Sequence, residues 1–334
     1  MEPTVNEYEI HSSLVLLLNE NCFLSYTIKK VFVMERVKKL IHLDYAYKLG
    51  LTGENVTVAV MDTGIVSHPD FDNRILIFKD CISQRSALYD DNGHGTHVAG
   101  ILAGNGGMSK NQMYRGIAPK ANLIIIKVLD KNGNGNTVNV LSGVDWLLKN
   151  KEKYNIRLLN ISVGMLKNAG GKEKKELLDA VEAVWDAGIM VVTAAGNNGP
   201  RENTVTIPGI SRKVLTVGSM DDRTDQTGTY VGKDGYSGAG PTDCCIMKPE
   251  ILAPGTNVVS CCMDGKTYIK KSGTSMAAPV VTGALALAFE HSPDLSPAEM
   301  KLRLYESAYP RGEYFKKKSW GMIHVDNLIR YKTY

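Results

Sequence analysis

One serine in this sequence stands where a hydroxyl group could act as a nucleophile. Ser275 lies in the run 273–279 (GTSMAAP), which leads into an apolar segment that ends at Phe289. Gly273 permits a tight turn and Pro279 is tolerated in the first turn of a helix, so we expect a buried helix to begin at Ser275. The unpaired N–H groups and the positive dipole end at such a helix start would stabilise negative charge beside the serine. The alternative for Ser275 is an N-cap, the commonest role of a serine at a helix start.

Three other polar side chains follow predicted strands or open a helix and could serve this serine. Asp62 follows a buried strand and precedes a Thr-Gly pair, His94 stands in the run 90–100 (DDNGHGTHVAG) that opens a helix, and Asn197 follows a later strand. A hydroxyl group is a poor nucleophile at neutral pH, so it needs a base with a pKa near 7, and that base needs a carboxylate to fix its tautomer. The four residues together predict an Asp-His-Ser triad with a side-chain amide as an oxyanion donor.

Each of these residues has a simpler interpretation when it is taken alone. Asp62 could be a turn residue or, as part of Asp-Thr-Gly, an aspartic protease motif. His94 and His97 could pack at the helix start or bind a metal ion, although their motif has no acidic residue to act as a metalloprotease base. Asn197 could be a left-handed turn residue before a Gly-Pro pair. Of the two histidines we expect His94 to be the base, because Gly95 lets a substrate approach it, and His97 to be structural.

The elements that must position these residues alternate along the chain. Buried strands are predicted at residues 56–61, 123–129, 158–163, 189–194 and 214–217, and helices at 34–49, 94–102, 137–149, 173–187, 275–289 and 297–306. This alternation predicts an α/β fold with a mostly parallel central sheet and helices on both faces. Functional sites in such sheets lie at the carboxyl ends of the strands, where Asp62 and Asn197 fall.

Three blocks of the sequence resemble the signature blocks of the subtilisin-like serine proteases. They are residues 62–64 (DTG), 94–100 (HGTHVAG) and 273–279 (GTSMAAP), and the resemblance extends over residues 34–327. Within the family the chain looks most like bacterial intracellular members. The resemblance implies the subtilisin-like three-layer fold. It also implies that Ser275 is the nucleophile, that His94 is the general base and then the acid, that Asp62 is the orienting carboxylate, and that Asn197 donates to the oxyanion.

The resemblance further implies how a peptide substrate would bind. The segments 133–135 and 162–164 are similar to two family segments that pair with an extended peptide backbone, and their residues are Gly133, Asn134, Gly135, Ser162, Val163 and Gly164. Residues 205–209 match the floor of the pocket for P1, the substrate residue before the scissile bond, and Thr206 would reduce the size of that pocket. Because none of these side chains is acidic, we predict an uncharged P1 residue.

Metal binding is expected only as a structural feature. Asp70 matches a calcium ligand of the family, so the resemblance implies a structural calcium ion at this residue. The loop 103–115, however, does not clearly reproduce the rest of the family's calcium cage. No cofactor is expected for the chemistry itself.

Composition and charge argue against several other classes of protein. The net charge of +4 comes from 39 basic and 35 acidic residues that are dispersed over 334 positions, which argues against a nucleic-acid partner or an anionic membrane surface. The longest early apolar run, residues 14–18, is too short to span a membrane and weak as part of a signal peptide. The six cysteines include no Cys-x-x-Cys zinc motif. We therefore expect free thiols and a cytoplasmic location. The resemblance to bacterial intracellular members of the family implies a bacterial origin.

We interpret residues 34–334 as one peptidase domain and residues 1–33 as an N-terminal extension that is a candidate inhibitory segment or pro-segment. The extension is shorter than the family's foldable propeptide, and it is expected either to lie near the cleft and be trimmed by the enzyme itself or to be an inert surface strand. Two other functions are weighed against a serine protease. A binding module would not need all four polar residues, and an aspartic protease built on Asp62 would leave His94 and Ser275 without a role.

Overall fold

The computed structural model describes residues 33–162, 164, 171–221, 235–310 and 319–331. The strands are β1 Thr57–Asp62, β2 Ile75–Asp80, β3 Asn122–Lys127, β4 Ile156–Ile161, β5 Met190–Ala194, β6 Leu215–Ser219, β7 Ile251–Ala253, β8 Val258–Cys261, β9 Tyr268–Lys271 and β10 Gly321–Met322. The helices are α1 Val33–Leu40, α2 Asp44–Lys48, α3 His94–Ala103, α4 Thr137–Asn150, α5 Gly171–Asp186, α6 Thr274–His291, α7 Pro297–Ser307 and α8 Val325–Arg330.

Eight strands form one sheet in the order β10-β7-β6-β5-β4-β1-β3-β2. Every neighbouring pair in this sheet is parallel, so the carboxyl ends of all eight strands lie at the same edge. β8 and β9 form a separate antiparallel hairpin. Near the middle of the sheet, β1 lies between β4 and β3, and Asp62 at the end of β1 is in register with Lys127 at the end of β3.

Helices cover both faces of the sheet. Successive residues of β1 point to opposite faces, as the period of a strand requires. Val58 and Val60 belong to the apolar cluster that includes α3 and α6, whereas Ala59 and Met61 belong to the cluster that includes α4 and α5. The predicted three-layer α/β fold is therefore confirmed, and the helices that carry His94 and Ser275 pack on the same face of the sheet.

The single helix predicted for residues 34–49 is two helices. Between α1 and α2, His42 has a φ of 55°, a left-handed conformation that ends the first helix. Val37 and Ile41 before the break and Ala46 after it all pack in the same apolar cluster. The apolar spacing continues across the break because both helices face one core, so periodicity alone does not reveal the interruption.

Strand β2 and the β8–β9 hairpin were not predicted from the sequence. β2 lies at the edge of the sheet and most of its residues are only half-buried, so it lacks the continuous apolar run that marks β1 and β3. The α6 helix is 18 residues long and largely buried. Even so, among the described residues no helix combines the length and the apolar character that would let it cross a membrane.

Candidate active site

Asp62, which is fully buried, and His94, which is half-buried, form a hydrogen-bonded pair at the carboxyl edge of the sheet. Asp62 ends β1, and His94 is the first residue of α3. The distance from His94 Nδ1 to Asp62 Oδ1 is 2.7 Å, and the same oxygen accepts the N–H of Thr63 at 2.7 Å. A carboxylate only accepts hydrogen bonds, so Nδ1 carries the proton and Nε2 keeps a free lone pair. Burial lowers the pKa of His94, but the charge of Asp62 and its hydrogen bond raise it more, which leaves this pKa above its ordinary value.

A second carboxylate, Asp90, fixes the start of α3. Its side chain accepts the N–H groups of Gly93 and Thr96 and the hydroxyl groups of Thr63 and Thr96. Thr63 Oγ1 in turn accepts the N–H of Gly95. Burial raises the pKa of Asp90, but these hydrogen bonds lower it by a larger amount. The net pKa lies below its ordinary value, so Asp90 stays ionised. The sequence analysis did not identify Asp90 or Thr63 as site residues; an acidic residue just before a helix start was the available signal.

Ser275 is the second residue of α6, and its hydroxyl does not cap the helix. The N-cap is Gly273, and the hydroxyl of Ser275 donates to the carbonyl oxygen of Ser162 at 2.7 Å. The N-cap alternative is therefore wrong. Pro279 lies in the second turn of α6 rather than in the expected first turn. Because proline has no N–H, it leaves the carbonyl of Ser275 without its partner in the helix.

Gly273 is required for the approach of α6 to Asn197. Its φ is +149°, and a Cβ atom at this position would lie 3.2 Å from Nδ2 of Asn197. Oδ1 of Asn197 accepts the N–H of Thr274 at 3.0 Å and its hydroxyl at 3.2 Å. A backbone N–H can only donate, so the amide oxygen must face Thr274 and the NH₂ group is left for other partners. The left-handed turn falls on Gly196, with φ of 89°, and not on Asn197.

One cleft of about 450 Å³ collects most of the residues predicted from the sequence. It is lined by His94, Asn197, Ser275, Gly133, Ser162, Gly164 and Thr206. Asn134 and Gly135 line a neighbouring, more apolar cavity of about 200 Å³ that shares Gly133 and Gly164 with the cleft. Val163 lies outside the described residues. Besides Thr63, the sequence analysis missed six further residues of the cleft wall, which are Asn92, Leu129, Asn132, Ala194, Gly196 and Asn198.

Thr206 fills the space between two segments of the cleft. A Cβ atom on Gly164 would lie 2.2 Å from its Oγ1, and a Cβ atom on Gly196 would lie 2.5 Å from its Cγ2. Thr206 is 5% exposed, and its N–H donates to the carbonyl oxygen of Ala195. The threonine side chain therefore packs directly on two glycine backbones, and only glycine leaves room for it there.

His97 lies on the same helix as His94 but does not reach the cleft lining. It is fully buried, and its Nε2 lies 3.0 Å from the carbonyl oxygen of Ile269 in the β8–β9 hairpin. Burial lowers the pKa of His97 to about 3, so the ring is neutral at physiological pH. These contacts fit the structural role that the sequence predicts for His97.

The surroundings of Asp70 do not fit the calcium ion that the resemblance implies. Its carboxylate already accepts the N–H groups of Gly106 and Met108 and the hydroxyl of Tyr268. The neighbouring side chains with ligand atoms are His68 and Cys261. Calcium requires six to eight oxygen ligands, whereas nitrogen, sulfur and occupied oxygens face each other here. Within the described part of the chain, Asp70 is therefore the centre of a hydrogen-bond network and not of an oxygen cage.

Comparisons with known proteins identify the family of the chain. The model of the subtilase family matches residues 53–331. Serine protease AprX of Bacillus subtilis (strain 168) is 41% identical over 82% of this chain and 68% of the relative. Subtilisin DY of Bacillus licheniformis is 33% identical over 86% of this chain and 95% of the relative. A crystal structure of a cold adapted subtilisin-like serine proteinase superimposes with a TM-score of 0.67, at 28% identity, over 82% of this chain and 90% of the other. The chain therefore belongs to the subtilase family and is a subtilisin-like serine endopeptidase.

Proposed function

We propose that Ser275, His94 and Asp62 form the catalytic triad of this endopeptidase. The observation that carries the proposal is the Asp62–His94 hydrogen bond, which leaves Nε2 of His94 unprotonated in the same cleft as the hydroxyl of Ser275. That hydroxyl now donates to Ser162. Rotation about the Cα–Cβ bond of Ser275 would turn its proton towards His94 when a peptide occupies the cleft.

The acylation step follows from these positions. Oγ of Ser275 attacks the carbonyl carbon of the scissile peptide bond, and its proton passes to Nε2 of His94. Asp62 stabilises the imidazolium that forms because its charge lies 2.7 Å from Nδ1. His94 then gives the proton to the leaving amine, and the C–N bond breaks to leave an acyl group on Ser275. A water molecule attacks this ester with His94 again as the base, which releases the acid and restores the serine.

The developing oxyanion would be held at the start of α6. The NH₂ group of Asn197 is turned away from Thr274, which occupies its oxygen. The N–H of Ser275 belongs to the first turn of α6, where N–H groups have no partner within the helix. We propose these two groups as the oxyanion donors, and we expect loss of the Asn197 amide to lower kcat about 10² to 10³-fold, the effect known from subtilisin.

The proposed triad is tested with Ser275→Ala. We expect kcat for a peptide substrate to fall about 10⁶-fold, the loss measured for the corresponding residue in subtilisin. Intact-mass measurement with a serine-directed phosphonylating reagent should show one adduct on the wild type and none on the variant. Ser272→Ala is the matched control, since this exposed serine lies in the same segment but outside the cleft lining. Equal inertness of wild type and Ser275→Ala, with no labelling, would favour a binding module.

For specificity we propose a small, uncharged P1 residue. Thr206 supports this because its side chain fills the space between Gly164 and Gly196. Thr206→Gly should raise kcat/KM for a P1 phenylalanine relative to a P1 alanine by about tenfold, since one or more methylene groups in a pocket are worth about 10 to 200-fold. A cleavage profile of a peptide library measures this ratio. An unchanged P1 preference would show that Thr206 does not limit the size of the P1 pocket.

We propose further that residues 1–33 are trimmed by the enzyme itself and that it works in the cytoplasm. Residues 1–32 lie outside the described residues, so the trimming is a hypothesis from the sequence alone. The location is supported by a relative named major intracellular serine protease, from Bacillus subtilis (strain 168), which is 35% identical over 75% of this chain and 73% of the relative. The described cysteines, 81, 244, 245, 261 and 262, are free thiols, which suits a reducing compartment. Intact mass tests the trimming, because Ser275→Ala should retain N-terminal residues that the wild type loses, and cell fractionation tests the location.

A further inference from the structure

Lys127 is a fully buried cation at the carboxyl edge of the sheet that the proposed chemistry does not use. It ends β3 beside Asp62, the last residue of β1, and it is 1% exposed. Removing an ammonium group from water is costly unless its three donors are satisfied by good partners. The hydrogen-bond acceptors of Lys127 therefore indicate the role of its buried ammonium group.

All three donors of the ammonium group have acceptors in different segments. Nζ lies 2.5 Å from the carbonyl oxygen of Thr63, 2.8 Å from that of Leu129 and 2.7 Å from Oδ1 of Asp91. The ring of Tyr89 lies 4.8 Å from Nζ, a distance that allows a cation–π contact. Lys127 thus joins the turn after β1, the segment after β3 and the loop before α3.

Two of these segments adjoin Asp62 and His94, two of the three members of the proposed triad. Thr63 is bonded to Asp62 through its N–H and to Gly95, the neighbour of His94, through its hydroxyl oxygen. Asp91 lies beside Asp90, which fixes the start of α3. A shift of the Thr63 carbonyl would therefore move both members of the Asp62–His94 pair.

The third segment leads to the proposed peptide-binding turn. Leu129 lines both the cleft and the adjacent apolar cavity. It also forms an antiparallel bridge with Gly135, which closes the turn 130–134. The hydrogen bond from Lys127 to the carbonyl of Leu129 therefore helps to fix the position of the turn that contains Gly133.

We propose that Lys127 is a positioning residue that sets the distance between the triad and the peptide-binding turn. This inference rests on the proposed function, since it concerns the same cleft. A substrate that binds along the turn 130–134 has its scissile bond aligned with Ser275 only if the turn and the Asp62–His94 pair keep their relative positions. Lys127 matters most for a substrate long enough to occupy both, because rate depends on the alignment of the reacting atoms.

The test compares Lys127→Met with Lys248→Met. Lys248 is also fully buried and bonds to Val214, Thr216 and Glu250, near the amino end of β6 and away from the cleft lining. Both variants lose a buried ammonium group, so both should be less stable. Active sites are counted with the serine-directed reagent, and kcat/KM per active site is measured for a tetrapeptide amide and for a single-residue ester.

We expect the ratio of kcat/KM for the tetrapeptide to that for the ester to fall at least about tenfold in Lys127→Met, within the roughly 10²-fold that a misplacement of about 1 Å can cost. Lys248→Met should keep the wild-type ratio. An unchanged ratio in Lys127→Met would overturn the proposal, since a merely structural role lowers the number of active sites without changing the preference for length.

Asp91→Asn keeps the experiment decisive if Lys127→Met does not fold. Asp91 is partly exposed, with 44% of its side chain accessible, and its loss leaves Lys127 bonded to two carbonyl oxygens. The ratio of kcat/KM for the tetrapeptide to that for the ester should fall by about twofold to fivefold, because a partly exposed ion pair contributes only a small free energy. An active wild type with an unchanged ratio in Asp91→Asn overturns the positioning role alone. A wild type that cleaves neither substrate overturns the proposed function and this inference with it.

Discussion

Two aspartate–histidine pairs lie near the end of β1, and they differ in the direction of their hydrogen bonds. In the Asp62–His94 pair, Nδ1 of the histidine donates to the carboxylate at 2.7 Å. In the Asp70–His68 pair, Nδ1 of His68 accepts the backbone N–H of Asp70 at 3.1 Å, and the carboxylate oxygen is 3.8 Å away. The same two residue types thus orient the proposed base in one place, and in the other they form the N-cap of a short 3₁₀ helix, Pro69–Phe71.

The partners of each carboxylate explain this difference. Asp70 is saturated by Gly106, Met108 and Tyr268, so its charge is used to hold the loop that precedes β3. The Oδ2 atom of Asp62, in contrast, is buried without a hydrogen-bond partner among the described residues. An unsatisfied buried oxygen costs stability, and such costs are typical of functional sites. The carboxylate of Asp70 is thus fully used in holding a loop, whereas that of Asp62 keeps one oxygen without a described partner next to the proposed base.

Among changes to the two aspartate–histidine pairs, the largest effect should come from Asp62→Asn. An amide in place of the carboxylate would favour the wrong tautomer of His94, and we expect kcat to fall about 10⁴-fold, as in other serine proteases. Steady-state kinetics on a peptide substrate, corrected for active-site concentration, measures the loss. Asp70→Asn is the matched control and should retain kcat within about twofold because its network lies outside the cleft lining. Equal losses in the two variants would contradict the distinction between the pairs.

The comparison also shows which parts of the site could be predicted from the sequence. Asp62 and Asn197 were identified because each follows a strand with a continuous buried apolar run, which the sequence displays directly. Asp90 and Lys127 were missed because their roles depend on hydrogen bonds to residues in other segments, such as Thr63. The hydrogen-bond network of Asp70 was missed for the same reason, since its partners come from a loop and a hairpin that the sequence pattern does not place beside it.

A second prediction concerns the pH dependence of the reaction. His94 must be neutral to accept a proton, and its pKa lies above the ordinary value of 6.5 because the charge and hydrogen bond of Asp62 outweigh burial. The value of kcat/KM should therefore fall about tenfold per pH unit below a midpoint above 6.5. Lys271 opposes this shift and Asp90 supports it, so both charges contribute to the midpoint.

The control for this prediction is again the matched pair of variants. The residual activity of Asp62→Asn should show a lower midpoint, since the group that raises the pKa of His94 is gone. Asp70→Asn should keep the wild-type midpoint. A midpoint that is the same in all three proteins would mean that the acid limb reports a group other than His94.

The smallest effect on catalysis, and the clearest effect on stability, should come from Asp70→Asn. The single oxygen of the new amide cannot take the place of both carboxylate oxygens, so the N–H of Gly106 or that of Met108 loses its acceptor. We expect the free energy of unfolding to fall by about 1 to 3 kcal/mol. Urea denaturation, with both proteins in a Ser275→Ala background to prevent self-digestion, measures this difference.

Calcium provides the decisive comparison for the same variant. If Asp70 is a hydrogen-bond centre, the difference in unfolding free energy between Asp70→Asn and its parent should be the same with excess calcium and with a chelator. If Asp70 were a calcium ligand, binding to the folded parent alone would add stability that grows with calcium concentration, and the difference would widen as calcium is added. Such a widening would show that the hydrogen bonds of Gly106, Met108 and Tyr268 give way to the ion, and it would remove the contrast between the two aspartate–histidine pairs.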